Sequence, residues 1–106
     1  MNIEKSREIA RLKEKLGIEV LWVYILSLLK NGPSHAYVLR NKIQEQFGFL
    51  PGNVSVYVVL YKLEGRGFVS AKREENRKVY TITGKGRELL KAAEKEFKER
   101  ENLLFG

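Results

Sequence analysis

Gly67-Phe68-Val69-Ser70-Ala71-Lys72-Arg73-Glu74-Glu75-Asn76-Arg77-Lys78-Val79-Tyr80-Thr81-Ile82-Thr83 is the stretch of this 106-residue chain in which the apolar period changes. Before Gly67 the apolar residues recur at helical spacing; after it they alternate, as a half-buried strand requires. The alternation predicts two strands, 68–73 and 78–82, around a polar turn at 74–77. Gly67 suits the left-handed residue that ends a helix, and Thr83 suits the cap that starts one.

Working upstream, residues 54–66 put Val56, Val59, Leu60 and Leu63 on one side of a helical wheel, with Asn53 as the expected cap. The connection Phe49-Leu50-Pro51-Gly52 is short and turn-forming. A helix over 35–47 precedes it, with Tyr37, Val38, Ile43 and Phe47 expected inward, Ser34 as cap and Gly48 as stop. Asn31-Gly32-Pro33 terminates an apolar helix over 18–30, in which Trp22 and Tyr24 are expected to pack in the core. Residues 3–16 form an amphipathic helix through Ile9, Leu12 and Leu16, and Gly17 breaks it. Downstream, Leu90, Phe97 and Leu104 recur every seven residues, with Leu89 and Ala93 beside them, in a last helix.

The order is four helices, two strands and a helix. Two short helices joined by a tight turn and followed by a basic hairpin make a winged helix-turn-helix. The expected fold class is therefore mainly α with a two-stranded β wing, flanked by N- and C-terminal dimerisation helices. Residues 1–17 form the N-terminal helix, 18–83 the winged unit and 84–106 the C-terminal helix.

Charge supports this reading. The net charge is +7, and residues 53–88 hold eight basic against four acidic side chains, whereas 89–106 hold four of each. A basic excess centred on the predicted hairpin favours phosphate as partner. The chain has no cysteine and one histidine, so thiolate metal sites and His-based catalysis lack their parts. No nucleophile elbow or phosphate-cradling glycine loop is present either; no enzyme activity, cofactor or metal is expected. The charged residues 1–8 do not read as a signal peptide and no apolar run is long enough to span a membrane, so a cytoplasmic location is expected. Abundant Lys, Arg and Glu with few thermolabile residues lean toward a thermophilic source.

Three blocks resemble the PadR family of transcriptional regulators. Leu28-Leu29-Lys30-Asn31-Gly32-Pro33-Ser34-His35-Ala36-Tyr37 is close to its Gly-Pro-x-His-Gly-Tyr signature. Tyr57-Val58-Val59-Leu60-Tyr61-Lys62-Leu63-Glu64, then Gly67-Phe68-Val69, is similar to its Tyr-Pro-x-Leu-x-x-Leu-Glu run and the Gly-Leu-Val that follows. Residues 77–90 resemble its Arg-Lys-Tyr-Tyr-x-Leu-Thr-x-x-Gly pattern, and the single C-terminal helix resembles its shorter subfamily. Ala36 replaces the family's glycine, Val58 its proline, and Asn53-Val54-Ser55 its Pro-Gly-Thr. The last two departures fall where the recognition helix begins, so no operator sequence carries over. The resemblance implies a homodimer on double-stranded DNA. It also implies that a small aromatic effector could enter a pore at the dimer interface, which Trp22, Phe97 or Phe105 would line.

Twelve residues are the expected DNA contacts. On the recognition helix, Ser55 and Tyr57 can hydrogen-bond phosphate or a base edge, Val58 can meet a thymine methyl, and Tyr61 and Lys62 complete the face, with Asn53 at its start. The competing reading packs the tyrosines on neighbouring helices. Lys72, Arg73, Arg77 and Lys78 flank the wing turn and suit the adjacent minor groove, although Glu74 and Glu75 would equally suit a plain charged hairpin. Ser34 and His35 stand at a helix N-terminus, where phosphate binds, but a local structural hydrogen bond is the expected role of His35. The dimer is expected to form through Ile9, Leu12, Leu16, Leu90, Ala93, Phe97 and Leu104, because an apolar seam without a partner would be exposed. The sequence thus points to a sequence-specific regulator, a repressor on an inverted repeat. A low-specificity architectural DNA-binding protein and a winged helix that binds proteins are the alternatives.

Overall fold

The structure is a computed structural model and describes residues 2–106. Its helices are α1 (Arg7–Leu16), α2 (Leu21–Leu29), α3 (Ala36–Phe47), α4 (Asn53–Gly65) and α5 (Gly84–Phe105). Strands β1 (Val69–Glu74) and β2 (Arg77–Ile82) lie between α4 and α5. Single 3-10 turns, Ile3–Lys5 and Ile18–Val20, flank α1. The expected order is therefore present: a mainly helical chain with a two-stranded antiparallel wing.

The core is built around α2, the most apolar helix, which buries Leu21, Ile25, Leu26, Leu28 and Leu29. α3 brings Ala36, Leu39 and Ile43 to it, and α4 brings Val56, Leu60 and Leu63, each set at the i, i+3/i+4, i+7 spacing of one helical face. Val69, Tyr80 and Ile82 close the core from the wing. The first half of α5 docks on the same unit through Gly86, Leu89, Leu90 and Ala93. The α5 cap is as expected: Thr83 Oγ1 accepts from the Gly86 N–H at 3.0 Å and donates to the Gly67 carbonyl at 2.7 Å. Gly67 has φ +80°, the left-handed conformation its position after α4 needs. Gly86 is required for a different reason. A Cβ there would lie 2.0 Å from the Phe68 carbonyl oxygen, so α5 can approach the backbone just before β1 this closely only without a side chain.

Several local expectations need correction. Tyr37 and Phe47 do not face the core; they are 48% and 40% exposed, and the inward set is shifted to Ala36, Leu39 and Ile43. Phe47 instead packs edge-on against Tyr24, with ring centroids 4.9 Å apart. Ser34 is not a helix cap. Its N–H and C=O pair with Tyr80, at 3.0 and 2.9 Å, as a one-residue addition to the sheet, so its backbone is extended and His35 takes the cap position. Asn53 is likewise the first helical residue rather than the cap, which is Gly52. The wing turn is tighter than expected: Glu74 pairs with Arg77, leaving only Glu75 and Asn76 between the strands, and Glu75 has φ +56°.

The two ends of the chain extend away from this unit. Beyond Ala93 every residue of α5 is exposed, including Phe97, Leu103, Leu104 and Phe105. α1 has no buried residue and packs mainly on the 3-10 turns at its two ends. Both helices leave apolar side chains uncovered. No helix among the described residues is long and apolar enough to cross a membrane.

Candidate nucleic-acid interface

α4 is amphipathic in an unusual sense. With Val56, Leu60 and Leu63 turned inward, its outer face carries Val54, Tyr57, Val58 and Tyr61, exposed by 75, 56, 44 and 77%. The helix itself bears only one Lys and one Glu, so it brings no net charge to that face. The charge comes from the wing. In the β1–β2 register Arg73 is paired with Lys78, and Lys72 with Val79, which places Arg73 and Lys78 on one face of the hairpin and Lys72 on the other.

Between α4 and the wing runs an open cleft of about 740 Å³. Tyr57, Val58 and Tyr61 line one wall; Arg73, Arg77 and Lys78 line the other. The wing is held at this distance by contacts from the start of α3. Arg77 Nη1 donates to the Tyr37 hydroxyl at 2.8 Å, and the guanidinium carbon lies 5.1 Å from the centre of the Tyr37 ring. The His35 ring stacks on Tyr37 at 5.8 Å, and His35 Nδ1 donates to the Lys78 carbonyl at 3.1 Å. Lys78 Nζ sits 3.6 Å from a Glu64 carboxylate oxygen. That ion pair is exposed and weak, so a phosphate can replace Glu64 at little cost. Burial pushes the Tyr80 phenol above its ordinary value, with Glu64 and Tyr57 adding to the effect, so this residue at the cleft floor stays neutral.

The expected site residues thus fall into groups. Tyr57, Val58, Tyr61, Arg73, Arg77 and Lys78 converge on the cleft, and His35 borders it through its structural bond. Asn53 and Ser55 lie at the start of α4, exposed and half-buried respectively. Lys62 points to the opposite flank, into a separate groove with Trp22, Phe68 and Arg66. Lys72 faces the far side of the wing, near Lys42 and Val38. Ser34 spends its backbone on Tyr80, and its hydroxyl makes only a long contact, 3.4 Å, to the His35 carbonyl. Sequence reasoning missed Tyr37 and Glu64. The first was expected in the core, and the partners of both are distant in sequence.

The model of the transcriptional regulator PadR-like family matches residues 25–92, more than half of the chain. The chain belongs to this family. PadR-like regulators act by binding DNA rather than as enzymes, in keeping with a site made of a helix face and a basic hairpin. No curated protein matches the chain. Among solved structures, a transcriptional regulator from Clostridium thermocellum, Cth-833, is similar at 25% identity with TM-score 0.74, covering 79% of this chain and 88% of that one. PadR of Bacillus subtilis in complex with operator DNA is similar at 26% identity with TM-score 0.63, covering 72% of this chain and 47% of that one. F93 from STIV, a winged-helix DNA-binding protein, shares the fold with TM-score 0.69 at 20% identity, covering 74% and 88%.

The family match begins inside α2, so α1 lies outside it. Of the expected dimer residues, Ala93 is buried within the chain and Leu90 packs partly on the core. Both fall on the part of α5 that the winged unit already covers. Ile9 is half-buried, while Leu12, Leu16, Phe97 and Leu104 remain exposed. Leu16, Trp22 and Phe97 line one groove of about 440 Å³ along α5. Phe105 is not part of it; it stands eight residues further along the helix, about 12 Å away.

Proposed function

We propose that this PadR-like chain acts as a homodimer that occupies an inverted-repeat operator and represses transcription from it. The cleft between α4 and the wing carries the reading, because an uncharged, aromatic helix face stands opposite three cations across an open groove. In this arrangement α4 lies in the major groove, while Arg73, Arg77 and Lys78 contact phosphate and follow the backbone toward the adjacent minor groove. The operator complex of Bacillus subtilis PadR supports DNA as the partner.

The dimer reading rests on apolar exposure. Leu12, Leu16, Phe97 and Leu104 are uncovered in a single chain, and a second copy related by a twofold axis covers such a seam with itself. Two recognition helices would then sit about one DNA turn, ~34 Å, apart. The effector site in this reading is the groove that Leu16, Trp22 and Phe97 share, whose apolar lining suits a small aromatic compound.

Selection of binding sites from random duplexes at moderate salt tests this function. The expected result is one enriched inverted repeat bound by two chains. Equal affinity for selected and scrambled duplexes would instead make the chain an architectural protein of low specificity.

A further inference from the structure

The outward stripe of α4 has a chemical bias that the family assignment leaves open. Val54, Tyr57, Val58 and Tyr61 stand at i, i+3, i+4 and i+7, on one exposed helical face. A stripe of this length spans about 10.5 Å along the axis, which matches about three base-pair steps. It contains no Arg, Lys, Asn or Gln, the side chains that make bidentate bonds to guanine or adenine. The cations around it are elsewhere: Lys62 and Arg66 line the groove beside Trp22 and Phe68, and Arg73, Arg77 and Lys78 belong to the wing. What the stripe offers a base edge is two branched aliphatic groups and two phenol rings.

We propose that Val54 and Val58 determine specificity by packing on the 5-methyl groups of thymines in the major groove, so each half-site is read by methyl contact rather than by hydrogen bonds to guanine. The inference rests on α4 being the helix that enters the groove. Of the four bases only thymine presents a methyl there, and burying methyl against Val is the favourable use of an apolar face that water otherwise wets. The tyrosine hydroxyls flank these contacts and reach phosphate or a base acceptor. The wing supplies affinity without reading sequence, which divides the work between two walls of one cleft.

The test replaces thymine by deoxyuridine, one position at a time, in a duplex selected by the wild-type protein. Uracil keeps every hydrogen-bonding group and lacks only the methyl. The expected result is about a fourfold loss of affinity at two or three thymines in each half-site and no change elsewhere. Val54→Ala and Val58→Ala, both at exposed positions, should each abolish the uracil penalty at their own thymine. Specific binding that is indifferent to uracil at every position overturns the methyl reading while leaving α4 in the groove. Failure to enrich any sequence overturns both.

Discussion

Replacing Gly86 by alanine should destabilise the protein strongly, although the substitution lies in a helix and alanine is the better helix former. Two effects oppose each other. Helix propensity favours Ala over Gly by at most about 1 kcal/mol, and by less in a first turn. Against this, the new Cβ would meet the Phe68 carbonyl oxygen at 2.0 Å, the Phe68 carbonyl carbon at 3.0 Å and Ile82 Cγ1 at 2.8 Å. Two of these are backbone atoms of the segment leading into β1, and they cannot swing aside as a side-chain tip could. α5 must move outward by more than 1 Å, which opens the Thr83 cap and the core side of Ile82. Overpacking of this kind costs about 1–3 kcal/mol, and the lost cap adds about 1. The net effect is a loss of about 2–3 kcal/mol, or a fall in Tm of about 10–20 °C for a chain of this size. Urea unfolding followed by circular dichroism measures it. Gly84→Ala is the control, because nothing lies within 4 Å of its Cβ, and it should be neutral or slightly stabilising. A Gly86→Ala protein as stable as the wild type would refute the close packing of α5 on Phe68 and the end of β2.

Further outcomes follow from the same contacts. Thr83→Ala removes an accepted and a donated hydrogen bond and should cost about 1–2 kcal/mol in the same assay, with Thr83→Ser recovering most of it. Arg77→Ala should weaken binding to all duplexes alike and lower the salt dependence by about one phosphate contact, measured by fluorescence anisotropy across a salt series. Phe97→Glu should convert the proposed dimer to a monomer in sedimentation and reduce operator affinity with it. The raised Tyr80 phenol contributes stability that is complete below its ordinary value near 10 and is lost as pH rises through the folded value. Alkaline unfolding should therefore shift to higher pH in Tyr80→Phe.

Much of this fold was legible because its periods are clean. The change of pattern at Gly67 located the wing, and Val56, Leu60 and Leu63 gave the inner face of α4 and, by subtraction, its outer one. What escaped was set by pairing between distant segments. Ser34 looked like a cap, but Tyr80 claims its backbone from 46 positions away. Tyr37 looked like core, yet Arg77 holds it at the surface, and no local pattern encodes that bond. The wing's register follows from the expected strands: tightening the turn to two residues leaves Arg73 opposite Lys78, and strand alternation sends Lys72 to the other face. The helical wheel puts Lys62 on the flank of the outer face, and the folded chain sets it in the groove beside Trp22.

The most direct test is a solution NMR titration of the isotope-labelled protein with a duplex obtained by selection. The account predicts the largest shift changes at Val54, Tyr57, Val58 and Tyr61 of α4 and at Arg73, Arg77 and Lys78 of the wing, with Lys72 and Lys62 little affected. Changes confined to α5, or centred on Lys62 and Arg66, would contradict it.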